Sequence, residues 1–334
     1  MIDLSTTYLG LKLKNPIIAS SSTLTSNVER IIHLEKSGVS AIVLRSIFEE
    51  EITLETNRFI AHAVEDGYDE GLFDYYDKKV KQDNVENYLK LIKDTKAAVD
   101  IPVIASINCK SNHEWIYFAK KLENAGAEAI ELNMFFLPSW SNKTVQENEA
   151  LYFDIIEKVL KQVSIPITLK VSHYFSDLST MLLKLSKTGI KGLVLFNKFF
   201  TPDFDIETEK MTQNYVYSSP QDITLPLRWV SILSSQLKRE KNNDCGIVAS
   251  TGIHDGEGAI KQILAGADAV QIASTLYING YEQVGKILSE LELWMEKKNY
   301  SSLADFKGKL SYKGGDNPDQ YERTQFMKNF GDKD

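Results

Sequence analysis

Short apolar runs rich in Ile, Val and Ala recur along the chain, most of them bounded by Gly, Pro or Asn. Eight stand out: Pro16–Ser20, Ser40–Leu44, Pro102–Ile107, Glu128–Leu132, Pro166–Lys170, Lys191–Leu195, Gly246–Ala249 and Asp268–Ile272. Most are too short for helices, so they read as strands. Their nearly continuous apolarity suits parallel strands buried on both faces. Between them, apolar residues fall at spacings of three and four, which puts them on one helical stripe. These segments are Asn27–Lys36, Val85–Val99, His113–Asn124, Asn148–Val163, Leu178–Lys187, Leu227–Lys238, Gly258–Leu264 and Tyr281–Lys297. Gly38, Gly126 and Gly266 each stand two residues beyond the end of one of them, as helix C-caps do.

Strand followed by helix, eight times over, predicts an α/β fold of the (β/α)8 TIM-barrel class. A doubly wound open sheet is the alternative. The count of eight argues against it, as does Ser20-Ser21-Ser22-Thr23 where a Gly-rich turn would follow the first strand. The barrel is expected over residues 1–310, with a polar C-terminal tail at 311–334. Two connections are long, Ser46–Asp83 after the second strand and Phe196–Pro226 after the sixth. Both belong to the C-terminal face, where barrel sites lie. The first is acidic and aromatic, and reads either as a lid or as part of a substrate pocket.

Composition narrows the function. The formal net charge is −8, from 46 acidic against 38 basic residues. No basic stripe is available for phosphate backbones, so no nucleic-acid partner is expected. No apolar run approaches the ~18 residues of a membrane-crossing helix, and no membrane partner is expected. The first residues lack the basic start and apolar stretch of a signal peptide, which together with only two cysteines predicts a cytoplasmic protein. Cys109 and Cys245 alone cannot hold an iron–sulfur cluster.

Candidate chemistry gathers at the strand ends. Ser250-Thr251-Gly252-Ile253 ends the seventh strand and Ala273-Ser274 the eighth. Small residues there let backbone N–H groups approach a ligand, and this pair of loops often cradles phosphate in barrels. Ordinary tight turns would look the same. Lys170 closes the fifth strand and is expected to aim its ammonium into the site beside an anionic partner. A structural lysine is the alternative. Asn133 and Asn197 end the fourth and sixth strands, and carboxamides can donate to and accept from a planar heterocycle. Arg45-Ser46 ends the second.

In combination these residues resemble the dihydroorotate dehydrogenase family, flavin-dependent barrels that oxidise dihydroorotate to orotate. Leu9 to Ser20 is similar to the family's entry hairpin and first strand, whose Ala19-Ser20 would touch the flavin. Arg45-Ser46 falls where the family has Lys-Ser. Asn133 matches the asparagine opening the active-site motif, and Asn197 a substrate-side asparagine. Lys170 matches the lysine beside the flavin pyrimidine ring. Ser250-Thr251-Gly252-Ile253 and Ala273-Ser274 match the phosphate loops, and Asp305 to Leu310 the C-terminal box. The resemblance implies bound FMN, hydride transfer from a small planar heterocycle to flavin N5, a homodimer, and a separate electron-transfer subunit as one of several electron acceptors.

The chain also departs from the pattern. The family carries Asn-x-Ser-Cys-Pro-Asn or Asn-x-Ser-Ser-Pro-Asn after the fourth strand, and the Cys or Ser is the base. Here the sequence is Asn133-Met134-Phe135-Phe136-Leu137-Pro138, so Phe136 stands in the base's place. A phenyl ring accepts no proton. Ser139, Ser141 and His173 are the nearest alternatives. The flavin shelf is better kept than the substrate pocket, which predicts poor turnover of dihydroorotate. Two other readings remain open: a flavin-binding protein without this chemistry, and a flavin-free barrel in which Lys170 forms a Schiff base.

Overall fold

The computed structural model describes residues 2–48, 73–108, 115–134, 144–199, 201–212, 216–240 and 243–312, with the side chains of 73–82 and 115–117 left aside. Eight parallel strands close into a barrel: β3 (Ile17–Ala19), β4 (Ala41–Val43), β6 (Val103–Asn108), β7 (Ala129–Asn133), β8 (Ile167–Val171), β9 (Gly192–Leu195), β12 (Gly246–Ser250) and β13 (Ala269–Ile272). Closure is made by β13 against β3, with Val270 opposite Ile17, and by β4 against β6, with Ile42 opposite Val103. A short strand β5 (Ile47–Phe48) pairs in parallel with the end of β6. The chain is thus the predicted (β/α)8 barrel.

Alternation along each strand sorts its side chains. Ile17, Ile42, Val103, Ile130 and Leu169 face outward into the main core beneath the helices. Ile18, Val43, Ile104, Ala129, Val194 and Val248 face inward and fill the lower barrel. A hairpin of β1 (Thr6–Tyr8) and β2 (Leu11–Leu13) plugs that end and buries Tyr8, Leu9 and Leu13. Tyr8 reaches far inside: its hydroxyl lies 2.5 Å from Thr168 Oγ1. Gly192 makes room for it, since a Cβ there would stand 2.4 Å from the Tyr8 oxygen. Tyr8→Phe is therefore expected to cost about 1–3 kcal/mol, because Thr168 loses its buried partner. Urea unfolding measures this, and an unchanged midpoint would show the contact to be idle.

The helices follow their stripes. α1 (Val28–Ser37) is capped by Asn27, whose side chain accepts from the Arg30 N–H, and it ends on Gly38 at φ 110°. α2 (Phe73–Ala98) starts well before the expected Val85, so the connection after the second strand is shorter than predicted. Residues 73–84 carry little apolar stripe but no Gly or Pro, and intrinsic propensity extends the helix where pattern gave no sign. α3 (Trp115–Asn124) and α4 (Val145–Leu160) come next, with Thr144 and Glu147 forming a reciprocal capping box on α4. α5 (Leu178–Ser186), α6 (Thr224–Arg239) and α7 (Gly256–Ala265) cover the next strands. A short α8 (Ser274–Asn279), which the periodicity did not predict, precedes α9 (Gln283–Lys298).

The long connection after β9 folds partly into a hairpin, β10 (Asp203–Asp205) with β11 (Lys210–Thr212), and then a 3-10 turn over Pro220–Ile223. At the other end of the chain, the Leu310 N–H donates to Leu264 O and the Tyr312 N–H to Ser231 O. Ser311 is buried and donates to Ala265 O. The first two residues of the predicted tail therefore dock on the helical layer, and 313–334 lie outside the described residues.

Candidate functional site

The inward positions change character along the barrel axis. Below, they are apolar apart from Thr168; near the C-terminal ends they become Ser106, Glu131, Asn133, Lys170, Ser250 and Gln271. Hydrogen bonds between strands that are not neighbours join them through the interior. Lys170 Nζ, on β8, donates to Ser20 Oγ just beyond β3 and to Gln271 Oε1 on β13, each at 2.9 Å. Gln271 Nε2 donates to Glu131 Oε2 on β7 at 2.6 Å. Glu131 Oε1 stands 4.0 Å from Lys170 Nζ. Burial pushes the lysine below its usual range, and the Glu131 carboxylate offsets part of that fall.

A second chain of contacts runs beside the first. Asn197 Nδ2 donates to Asn133 Oδ1 at 2.7 Å, so the two predicted carboxamides meet. Asn133 Nδ2 lies 3.4 Å from Ser46 Oγ, which is 2.7 Å from Ser106 Oγ and 3.1 Å from Ser21 Oγ.

Above these groups a cleft opens to solvent at the C-terminal end of the barrel. Ser20, Asn133, Lys170 and Asn197 line one part of it. Ser250, Thr251, Gly252 and Ile253 line another, together with Ala273 and Ser274. Ten of the predicted residues thus converge on one cavity. Ser46 lies just beneath, in the serine chain. Ala19 packs into the main core instead, and Arg45, half-buried, does not line the cleft. Ser139, Ser141 and Phe136 lie outside the described residues.

The end of the cleft formed by β12 and β13 is tightly built. Thr251 and Gly252 both take positive φ, 81° and 79°. Thr251 Oγ1 donates to Phe196 O at 3.0 Å. The 3-10 turn leans on Gly252 so closely that a Cβ there would lie 2.1 Å from Ile223 N. Ser218, at the return of the long connection, donates its N–H to Ser274 Oγ at 3.0 Å, and its hydroxyl is 3.2 Å from His254 Nε2. Burial holds the His254 imidazole below its usual value.

Sequence reasoning missed Glu131, Gln271, Ser21, Ser218 and Lys198. The last lines the cleft and faces Asp222 at 3.7 Å. Glu131 and Gln271 had a visible signal, a long polar residue at an inward position of an apolar strand. His173 sits away from the cleft wall in an aromatic cluster, 4.2 Å from the Tyr174 ring and 5.9 Å from Phe196, measured between centroids. Burial lowers its pKa, and its Nδ1 is buried without a hydrogen-bond partner.

Among the described residues, no group of His, Cys, Asp or Glu is placed to hold a metal ion. No helix among them is long and apolar enough to cross a membrane.

Comparison with known proteins gives a consistent picture. The family model described as dihydroorotate dehydrogenase matches residues 3–295. The dihydroorotate dehydrogenase B (NAD(+)) catalytic subunit of Thermoplasma acidophilum is 27% identical over 320 residues, covering 92% of this chain and 99% of that protein. The protein of the same description from Methanocaldococcus jannaschii is 26% identical over 300 residues, covering 89% and 94%. Dihydroorotate dehydrogenase A (fumarate) of Lactococcus lactis subsp. cremoris is 27% identical over 329 residues, covering 92% and 99%.

Proposed function

As the chain belongs to the dihydroorotate dehydrogenase family, we propose that it is an FMN-dependent oxidoreductase whose substrate is a small planar heterocycle other than dihydroorotate. The supporting observation is the Lys170 cluster at the floor of the cleft, flanked by the Asn133–Asn197 pair.

The residues present fit FMN. Among the described residues, lysines and carboxamides line the cleft and no Asp or Glu does, although the chain as a whole is acidic. That donor set suits a phosphate dianion and an electron-rich ring edge. The backbone of Gly252, Ile253, Ala273 and Ser274 would hold the phosphate, with Ser250 and Thr251 shaping the approach. Lys170 would sit at the pyrimidine edge, with Ser20 and Gln271 accepting from two of its three N–H groups. The ring system, when bound, supplies the hydride acceptor. Lys170 places positive charge where negative charge grows, in a buried setting that strengthens its field. Asn133 and Asn197 orient the substrate's polar edge. Arg45, Ser46 and Ala19 support the shelf from below and beside it.

The departure at Phe136 bears on the substrate. General-base catalysis needs a group that accepts the proton, and at this position the chain has none. Ser139 would have to serve in its place. The first test is colour: protein purified with FMN should carry bound flavin absorbance, and a colourless protein that cannot be reconstituted overturns the reading. The second is anaerobic mixing with dihydroorotate, which should bleach the flavin slowly or not at all. Rapid bleaching would show that Phe136 does not matter. Phe136 also favours a second reading, a flavin-binding protein without turnover. Failure of every dihydropyrimidine and nicotinamide tried in stopped-flow reduction would support it.

Two catalytic subunits among the relatives suggest that electrons leave through a separate subunit. Cys245 cannot supply that exit: it is a free, buried thiol raised to about 12 by burial and by the carboxylates of Asp268 and Asp244. A homodimer in the cytoplasm remains part of the proposal, and sedimentation of the purified protein tests the oligomeric state.

A further inference from the structure

A carboxylate with no exposed surface needs a reason. Glu131 is 0% exposed and sits in the apolar strand β7, yet only one of its oxygens is hydrogen-bonded. Its contacts form a ring of three side chains. A carboxylate only accepts, so Glu131 Oε2 obliges Gln271 to present its NH2 group. The Gln271 carbonyl oxygen must then face the other way, where it accepts from Lys170 and from Ser20 Oγ, the latter at 3.1 Å. The orphaned oxygen, Oε1, faces Lys170 directly at 4.0 Å. Glu131 thus acts on the lysine twice, once by charge across that gap and once by fixing the acceptor that holds the ammonium.

We propose that Glu131 is a positioning residue that keeps Lys170 protonated and aimed at the cleft, acting partly through Gln271. Lys170 is 6% exposed. Without a counter-charge, an ammonium so buried would shed its proton and leave the cleft floor neutral. Among the described residues, the other ionisable groups around this ring are Tyr8 from the barrel floor, Tyr88 from α2, Arg45 beyond β4 and Lys198 on the cleft wall. Both phenols are pushed well above their ordinary range by burial and stay neutral near pH 7. Arg45 and Lys198 are cations. Among the described residues, Glu131 is therefore the negative charge set against Lys170. This deepens the reading of Lys170 as the cation beside a bound ring, and rests on that reading for its purpose.

The test uses full-length protein without added flavin and reads Lys170 itself. Cyanate carbamylates only the neutral amine, and peptide mass spectrometry reports each lysine separately. In the wild type, carbamylation at Lys170 should remain slow through neutral pH and rise only in alkali. In Glu131→Gln the profile should shift down by at least one pH unit, so that modification at pH 7 is roughly tenfold faster. Gln271→Leu keeps the charge but removes the relay, and should give a smaller shift of the same sign. A Glu131→Gln profile superimposed on the wild type, in protein with native circular dichroism, overturns the proposal. So does a wild-type profile showing Lys170 already neutral at pH 7, which needs no variant to fold. Because the readout is modification of Lys170 and not flavin binding, failure of FMN binding and failure of this inference are separate outcomes.

Discussion

Lys170→Met should cost the bound flavin about a hundredfold of its preference for the reduced over the oxidised form, a drop of roughly 60 mV for a two-electron couple. The reasoning is local. Lys170 is the buried cation at the cleft floor, and two neutral partners, Ser20 and Gln271, hold it in place. Methionine fills a similar volume with no charge, so the electrostatic contribution disappears while packing is largely kept. Stability should fall too. Glu131 would remain in the barrel interior without its cation, and an uncompensated buried charge costs about 3–5 kcal/mol. The double variant Glu131→Gln/Lys170→Met removes both charges and should regain most of that stability without regaining the potential. Redox titration and urea unfolding on the wild type and these two variants separate the two effects. A potential unchanged in Lys170→Met would remove the lysine from the flavin site.

Gly252→Ala should be the most damaging small substitution at the cleft. Its Cβ would lie 2.1 Å from Ile223 N and 2.6 Å from Asp222 C, both backbone atoms. The residue also holds φ 79°, which costs an L side chain about 1–2 kcal/mol before any clash. The 3-10 turn must therefore move away. With it goes Ser218, which donates to Ser274 Oγ across the proposed phosphate position. FMN affinity should fall by about a hundredfold or more, with a lower melting temperature. Gly285→Ala provides the contrast, because it sits in α9 with nothing within 4 Å of the new Cβ. That change should leave FMN binding intact and raise stability by about 0.5–1 kcal/mol. Equal FMN affinity in Gly252→Ala and wild type would show that the loop after β12 does not hold the phosphate.

Much of the site could be read from strand ends alone. Lys170, Asn133 and Asn197 each follow an apolar run, and in a parallel barrel such positions converge whatever the connections between them. Glu131 and Gln271 escaped because each sits within a run rather than at its end. There, a sequence reader counts the run's overall apolarity and not the side on which one residue falls. Helix boundaries were less legible. α2 gains its first turns from residues with no apolar stripe, and α8 is a six-residue helix too short to show a period.

Alternating strand and helix signals, eight times repeated, point to the barrel from sequence alone, because helices bury one face of each short apolar strand and closure buries the other. The motifs at the strand ends likewise point to the family, and their residues line one cleft. Which charges meet is a different matter. Glu131, Lys170 and Gln271 lie as much as 140 positions apart, on strands that are not all neighbours, and they touch only because shear and stagger bring them to one level inside the barrel. That level, set by closure, is what gives the cleft a charged floor.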